Sequence, residues 1–321
     1  MRDRDALNLE TASGLEQPAA APTARARLWR IAPARWSLIF LLLVLLLAAV
    51  GPWIYQQLAP PDIQPLRTFD AQDYTSAGPG GSWPSATHWL GTDDLGRDTL
   101  ARLLTGLRVS LLVAVVVESI NIGLGATLGL LAGTFGGFVD QIISRLADMF
   151  FAFPGLLLAI LVSAIFGSVA QSIAGDMGRL LLVAIALALV SWPLMARFVR
   201  GQALSIRERD YVLAAQAIGA TRREIMVRHI LPNVTGLIIT AATLDVAGVV
   251  LNEALLSLLG LGIQPPGSSL GLMINEAQTY LELNWFQTFV PGATLTLLVL
   301  AFSFLGDGIR DAVDPTLATE V

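Results

Sequence analysis

From Ser37 the chain reads SLIFLLLVLLLAAVG and continues through PWIY to Tyr55 without one charged side chain. At about 1.5 Å of rise per residue, a helix over this run is about 28 Å long, close to the thickness of a bilayer's hydrocarbon core. Lipid offers backbone N–H and C=O groups no partner, so a segment that crosses it must be a helix or part of a closed barrel. A barrel strand alternates apolar and polar positions, and this run does not alternate. It lies too deep in the chain, and is too long, for a cleaved leader, so it reads as a first span. Further apolar runs at 109–131, 149–166, 180–198, 237–259 and 291–305 are separated by Gly, Pro or charged residues. The expectation is an all-α integral membrane protein with six transmembrane helices. Composition agrees: 14% of residues are charged and 54% hydrophobic, whereas soluble domains carry about 25% charged residues.

All twenty basic residues are arginine. A chain without lysine cannot build the Gly-Lys-Ser/Thr ending of a phosphate-cradling P-loop, nor a Schiff base. Without cysteine it has no disulfide, no thiol nucleophile and no thiolate metal site. Its two histidines, His88 and His229, fall on opposite sides of the expected bilayer, which argues against a shared metal. No catalytic residue, metal site or resident cofactor is expected, and nothing points to nucleic acid.

Arginine is retained on the cytoplasmic face of membrane proteins. With the N-terminus inside, fifteen of the twenty arginines fall on inner segments, and the stretch 261–289 on the outer side has none. Both termini are therefore expected in the cytoplasm. The organisation expected is a disordered basic tail over 1–37, a first span over 38–58, an extracytoplasmic segment over 59–108, a five-helix core over 109–306 and a cytoplasmic tail over 307–321. The outer segment holds Pro60, Pro61, Pro65, Pro79 and Pro84 with Trp83 and Trp89. It reads either as a docking surface or as a lid packed on the outer face, and the residues from Gly91 to Asp94 are candidates to cap the helix that follows.

Inside the spans, Gly125, Gly129 and Gly133 recur every four residues, which puts three hydrogen side chains on one helix face where another backbone can approach. Glu118, Asp245 and Glu253 lie in or near spans, where an ionised group is costly unless it meets protein, water or a partner. They are candidates for a translocation path, or for hydrogen bonds between helices.

The stretch 200–235 is expected to be more than a linker. Asp210 can cap a short helix whose Ala214, Ala215, Ala217 and Ile218 give it a smooth face; Gly219 breaks it, Thr221 can cap a second helix, and Pro232 can end that one. Such a helix-turn-helix is a handle for a soluble partner, or an amphipathic element lying on anionic lipid.

The string DYVLAAQAIGA from Asp210, followed by RHILPN from Arg228, resembles the EAA loop of permease subunits of binding-protein-dependent ABC importers. LGTDDLGRD from Leu90, FGGFVD from Phe135, AFPGLLL from Ala152, NEALLSLLGLGIQPP from Asn252 and GDGIRDAVDP from Gly306 are similar, in order, to the C subunit of dipeptide/oligopeptide permeases. The likeness covers about residues 35–315. It implies a type I importer fold in a bacterial or archaeal cytoplasmic membrane, and a chain that does not itself hydrolyse ATP. It implies as partners a second permease subunit, ATPase subunits that bind the ATP, and an extracytoplasmic substrate-binding protein. The loop would then be the coupling helix, docking through Asp210, Tyr211, Leu213, Ala214, Ala215, Gly219, Arg222, Arg223 and Pro232. Leu213 stands where the motif carries its leading glutamate, and Thr316 where a basic residue is common, so one polar contact to the ATPase is expected to be absent.

The function expected is half of an ATP-driven import pathway for di- and oligopeptides. Nickel chelates and glutathione are alternative cargoes within the family. A proton-coupled secondary transporter using Glu118, Asp245 or Glu253 is the alternative from another class, but it predicts an inverted repeat that the sequence does not display. A membrane scaffold without transport would leave the intramembrane acids and the motif set unexplained.

Overall fold

A computed structural model describes residues 24–313. Its helices are α1 (Ala24–Arg30), α2 (Ala32–Gln57), α3 (Thr99–Ile120), α4 (Thr127–Phe135), α5 (Gly137–Phe151), α6 (Gly155–Arg207), α7 (Asp210–Ala217), α8 (Arg222–Glu224), α9 (Leu231–Leu258), α10 (Leu270–Ala277) and α11 (Phe286–Val313). A π-helical turn over Asn121–Ala126 joins α3 to α4, and another over Ile225–Ile230 joins α8 to α9. Among the described residues there is no β-sheet, only one isolated bridge between Thr92 and Asp98.

Five helical stretches are long and apolar enough to cross a membrane: Ala32–Gln57, Thr99–Phe135, Gly155–Arg207, Arg222–Leu258 and Phe286–Val313. The third holds two of the six expected spans. Its backbone leaves helical geometry at Ala174 and Gly175, where Gly175 takes φ +57°. The two limbs fold back on each other: a Cβ placed at Gly155 would stand 2.3 Å from Val190 Cγ1, and one at Gly167 would stand 3.6 Å from the Arg179 guanidinium. A straight helix would hold Gly155 and Val190 about 52 Å apart. The two limbs correspond to the two expected spans, so the long apolar helical segments number six among the described residues. Trp36 and Trp53, exposed near the two ends of α2, are about 26 Å apart along the axis. That spacing suits aromatic anchors at the two faces of a bilayer, with exposed Leu42, Leu43, Leu46 and Leu47 between them.

The main core draws on α2, α3, α6, α9 and α11, with Val113, Val117, Ala184, Val250, Leu256 and Leu298 nearly free of solvent. A second cluster unites α4, the last turns of α6, α7 and α9 through Val199, Ile206, Val212, Ile225 and Ile230. The expected glycine seam is present. A Cβ at Gly125, Gly129 or Gly133 would stand 2.7 Å from the Trp192 oxygen, 2.5 Å from the Ala196 oxygen or 2.6 Å from Ala203 Cβ, so α4 lies backbone to backbone on α6.

Several local expectations differ from the structure. The stretch expected as a disordered tail to residue 37 is helical from Ala24, because Leu28 and Ala34 pack on Gly308 of α11; its first 23 residues lie outside the described part. The C-terminal tail expected from 307 is helical to Val313, with Thr316 outside the described part. α3 starts at Thr99, before the apolar run. Its cap is Asp98, whose side chain accepts from the Ala101 amide at 2.9 Å, rather than a residue of 91–94. The segment 59–98 folds as a cap at the end of the bundle remote from α7. Arg97 and Arg102, both almost fully buried, each pair with Asp93 and Glu276, tying the segment to α10. Thr99 donates to Gln287 at 2.7 Å and Asn284 donates to the Gly80 carbonyl at 2.9 Å, which tie it to the start of α11 and the loop before it.

Candidate coupling surface and translocation site

Helix α7 is short and anchored on one side only. Val212 and Ala215, three residues apart, are buried, Val212 in the cluster with Ile206, Ile225 and Ile230, and the opposite side is open. Leu213 is 49% exposed and Ile218 88% exposed, with Ala214 and Ala217 also exposed. Exposed apolar side chains grouped on one face are the pattern of an interaction surface. Asp210 is the first residue of α7 and makes no side-chain cap, because Arg209 occupies the cap position; this corrects the expected capping role. Gly219 ends the helix at φ +94°, a left-handed conformation that a side chain resists, with open space around its Cα. Thr221 then opens α8 as expected, in a reciprocal capping box with Glu224.

Two expected docking residues are engaged inside the chain. Arg222 donates to the Phe135 carbonyl at 2.6 Å, at the C-terminus of α4 where a cation suits the helix dipole. Tyr211 lies 6.2 Å, ring to ring, from His229. Arg223 is exposed. Pro232 does not end a helix, contrary to expectation. It lies in the first turn of α9, directly after the π-helical turn, where the irregular bonding already accommodates a residue without an N–H. Beside α7, Thr134, Arg207, Gln216 and Arg222 border a cleft of about 520 Å³. Arg200 makes a two-pronged contact with Asp140 of α5, and that guanidinium holds the Asp140 carboxyl below its usual range.

The three intramembrane acids do not form one set. Glu118 and Asp245 meet through Asn121, whose side-chain nitrogen donates to Asp245 Oδ2 at 2.9 Å and lies 3.5 Å from Glu118 Oε1. Ser191 of α6 donates to Asn121 Oδ1 at 3.0 Å. Glu253 sits apart, 1% exposed, its carboxylate accepting from Ser110 and Ser257 at 2.8 Å each. Asp245 and Glu253 are two turns apart on α9 and about 80° apart around it, so one meets Asn121 of the π-helical turn and the other Ser110 of α3. Sequence reasoning missed Asn121, Ser191 and Ser110; a polar side chain inside an apolar span was the signal available for each. Among the described residues no group of three or more His, Asp or Glu is placed to hold a metal ion.

Residues 125–319 match the family described as "Binding-protein-dependent transport system inner membrane component". Three relatives resemble the chain over most of its length. A glutathione transport system permease protein of Pectobacterium atrosepticum is 40% identical over 86% of this chain and 85% of its own. A dipeptide transport system permease protein of Alkalihalophilus pseudofirmus is 40% identical over 73% of this chain and 74% of its own. An oligopeptide transport system permease protein of Haemophilus influenzae is 35% identical over 91% of this chain and 87% of its own. Among solved structures, an inward-facing form of the MetNI methionine ABC transporter shares the fold. It has TM-score 0.53 and 21% identity over 66% of this chain and 97% of that one. The membrane-crossing helices, the type I importer-like architecture and these likenesses agree, and the chain belongs to the binding-protein-dependent transport system inner membrane components, as a multi-pass permease subunit of an ABC importer.

Proposed function

We propose that the chain forms one half of the translocation pathway of an ATP-driven importer of di- and oligopeptides, and performs no covalent chemistry itself. The observation that carries the coupling part of this reading is the one-sided burial of α7: Val212 and Ala215 hold it to the bundle while Leu213, Ala214, Ala217 and Ile218 face outward. ATPase subunits, which bind the nucleotide, dock on that face in the cytoplasm. There the apolar Leu213 replaces a polar contact by a shape contact, and Gly219 gives the turn its form. A second permease subunit completes the pathway, and the cap over 59–98 receives a loaded substrate-binding protein at the outer face, leaving both termini cytoplasmic. The peptide substrate is supported by the dipeptide and oligopeptide relatives. A second reading, import of glutathione, is supported by the glutathione permease at 40% identity; glutathione is itself a small peptide.

The chain has no cysteine, so Leu213→Cys gives a unique thiol. In complex purified from its own membrane with a mild detergent, a short thiol crosslinker is expected to join this position to a P-loop subunit identified by mass spectrometry. Recovery of an intact complex with P-loop subunits but no crosslink at 213, while a thiol placed in the 59–98 cap does crosslink to one, overturns the docking geometry.

A further inference from the structure

Resting on the peptide reading above, we propose that Asp245 and Ser191, held in place by the buried Asn121 between them, form an intramembrane subsite that receives the ammonium group of a substrate in transit. The argument begins with charge. Glu118 and Asp245 are joined by one amide, and among the described residues no ion pair reaches either carboxylate. Glu118 Oε2 is buried, and the Glu118 carboxyl lies within hydrogen-bond reach of the Asp245 carboxyl. Two carboxyls in reach of each other can share one proton, which leaves a negative charge that no arginine of the described residues pairs with, and in lipid such a charge marks a place that a cation visits.

Access separates these acids from Glu253. Both Glu253 oxygens are taken by serine hydroxyls and the side chain is sealed, which is the signature of a helix-to-helix tie. Asp245 is only partly buried and lines two openings at once, with Ser191 beside it in both. The smaller, about 40 Å³, has Asn252 on its wall. The larger, about 310 Å³, is walled by Leu194, Met195, Phe198 and Leu244. One carboxylate and one hydroxyl at the end of an apolar cleft match an ammonium group next to a hydrocarbon side chain, which is the chemistry of a peptide's N-terminal residue. The same charge repels a free carboxylate, so the subsite orients the substrate as well as holding it. The competing occupant is a basic side chain of the second permease subunit.

The test uses the assembled complex in proteoliposomes, with its binding protein saturated by a peptide bearing a free α-amine, and reads peptide accumulated per ATP hydrolysed. Asp245→Asn is expected to lower that ratio about tenfold, and Asp245→Glu to restore it to within about threefold of wild type. Ser191→Ala, which keeps the carboxylate, is expected to give a smaller loss in the same ratio. An unchanged ratio in Asp245→Asn overturns the assignment. So does a loss that Asp245→Glu leaves unrepaired, or a loss accompanied by release of the second permease subunit, which would make Asp245 the counter-charge of that subunit. Wild-type complex that accumulates no peptide but does accumulate another cargo would instead refute the peptide reading.

Discussion

Replacing Gly129 by alanine tests whether α4 and α6 are as close as the seam requires. The new methyl carbon would stand 2.5 Å from the Ala196 carbonyl oxygen, 2.9 Å from Val199 Cβ and 3.1 Å from the Arg200 amide nitrogen. Comfortable contact for carbon begins near about 3.5 Å, so the helices must part by about 1 Å. Two of the three obstacles are backbone atoms, which cannot swing aside. Overfilling a packed interior costs about 1–3 kcal/mol, and alanine recovers up to about 1 kcal/mol of helix propensity over glycine. With backbone atoms as the obstacles the cost falls in the upper part of that range, and the balance is a loss of about 1–2 kcal/mol. Gly123, a short way upstream in the π-helical turn, supplies the control, because a Cβ there meets nothing within 4 Å. Thermal unfolding of the purified variants in one detergent is the assay. At about 2–4 °C per kcal/mol for domains approaching this size, Gly129→Ala should melt several degrees below wild type. Gly123→Ala should melt at or above it. A Gly129→Ala protein that melts together with Gly123→Ala would refute the close seam.

Three further outcomes are expected. His88 meets Asp98 through Nδ1 at 2.7 Å and Asp73 through Nε2 at 3.2 Å, while Tyr55 also donates to Asp98 and Arg67 lies over the Tyr55 ring. The Asp98 hydrogen bond foremost, against opposing burial, raises the His88 pKa, so its contribution is full below the unfolded value of about 6.5 and fades as pH climbs through the elevated folded value. Asp73, held down to about 2 chiefly by the Thr75 hydroxyl, contributes above about pH 4 and loses that contribution as pH falls toward about 2. In melting temperature against pH, His88→Gln should flatten the alkaline decline and keep the acid one; an unchanged alkaline decline would disprove the linkage. Arg102→Met strips one cation from Asp93 and Glu276, and should cost about 3 kcal/mol, the low end for a broken buried pair because Arg97 still faces both. A melting temperature equal to wild type would show that Arg102 adds nothing. Gly219→Val forces a β-branched residue to φ +94° in open space. It should therefore leave membrane insertion intact while cutting transport-coupled ATP hydrolysis at least tenfold, and normal coupled hydrolysis would count against the turn's role.

Features set by local spacing could be read from the sequence. The glycine seam follows from a four-residue repeat, the α8 cap from Thr221 and Glu224 three residues apart, and the span count from apolar runs. Features that depend on where a helix begins were obscured. Asp98 caps α3 because the helix starts well before its apolar part, held by contacts to α10 that the sequence separates by more than a hundred residues. Pro232 reads as a stop signal only while the π-helical turn before it is unseen. The separation of Asp245 from Glu253 is set by α3 and the π-helical turn after it, which offer Ser110 to Glu253 and Asn121 to Asp245. Arg222 carries a free charge in sequence, and only the docking of α4 shows that charge already engaged.

The second limb of α6 carries Ser191 of the polar cluster and, sixteen residues on, Arg207 at the threshold of α7. These positions lie on one helical limb about 24 Å apart, with Pro193, which lacks an N–H, just past Ser191. The glycine seam splints α4 along the part of the limb from Trp192 to Ala203, so a push on α7 meets a stiffened beam. If that beam tilts by about 10° with its fulcrum at Ser191, its far end sweeps about 4 Å, by the same rise per residue. Run in reverse, a displacement of about 4 Å at α7 becomes a small rotation at the carboxylate, enough to re-aim a hydrogen bond without breaking the packing around it. The geometry is a reduction gear, with coarse travel at the end that carries α7 and fine adjustment at the polar cluster.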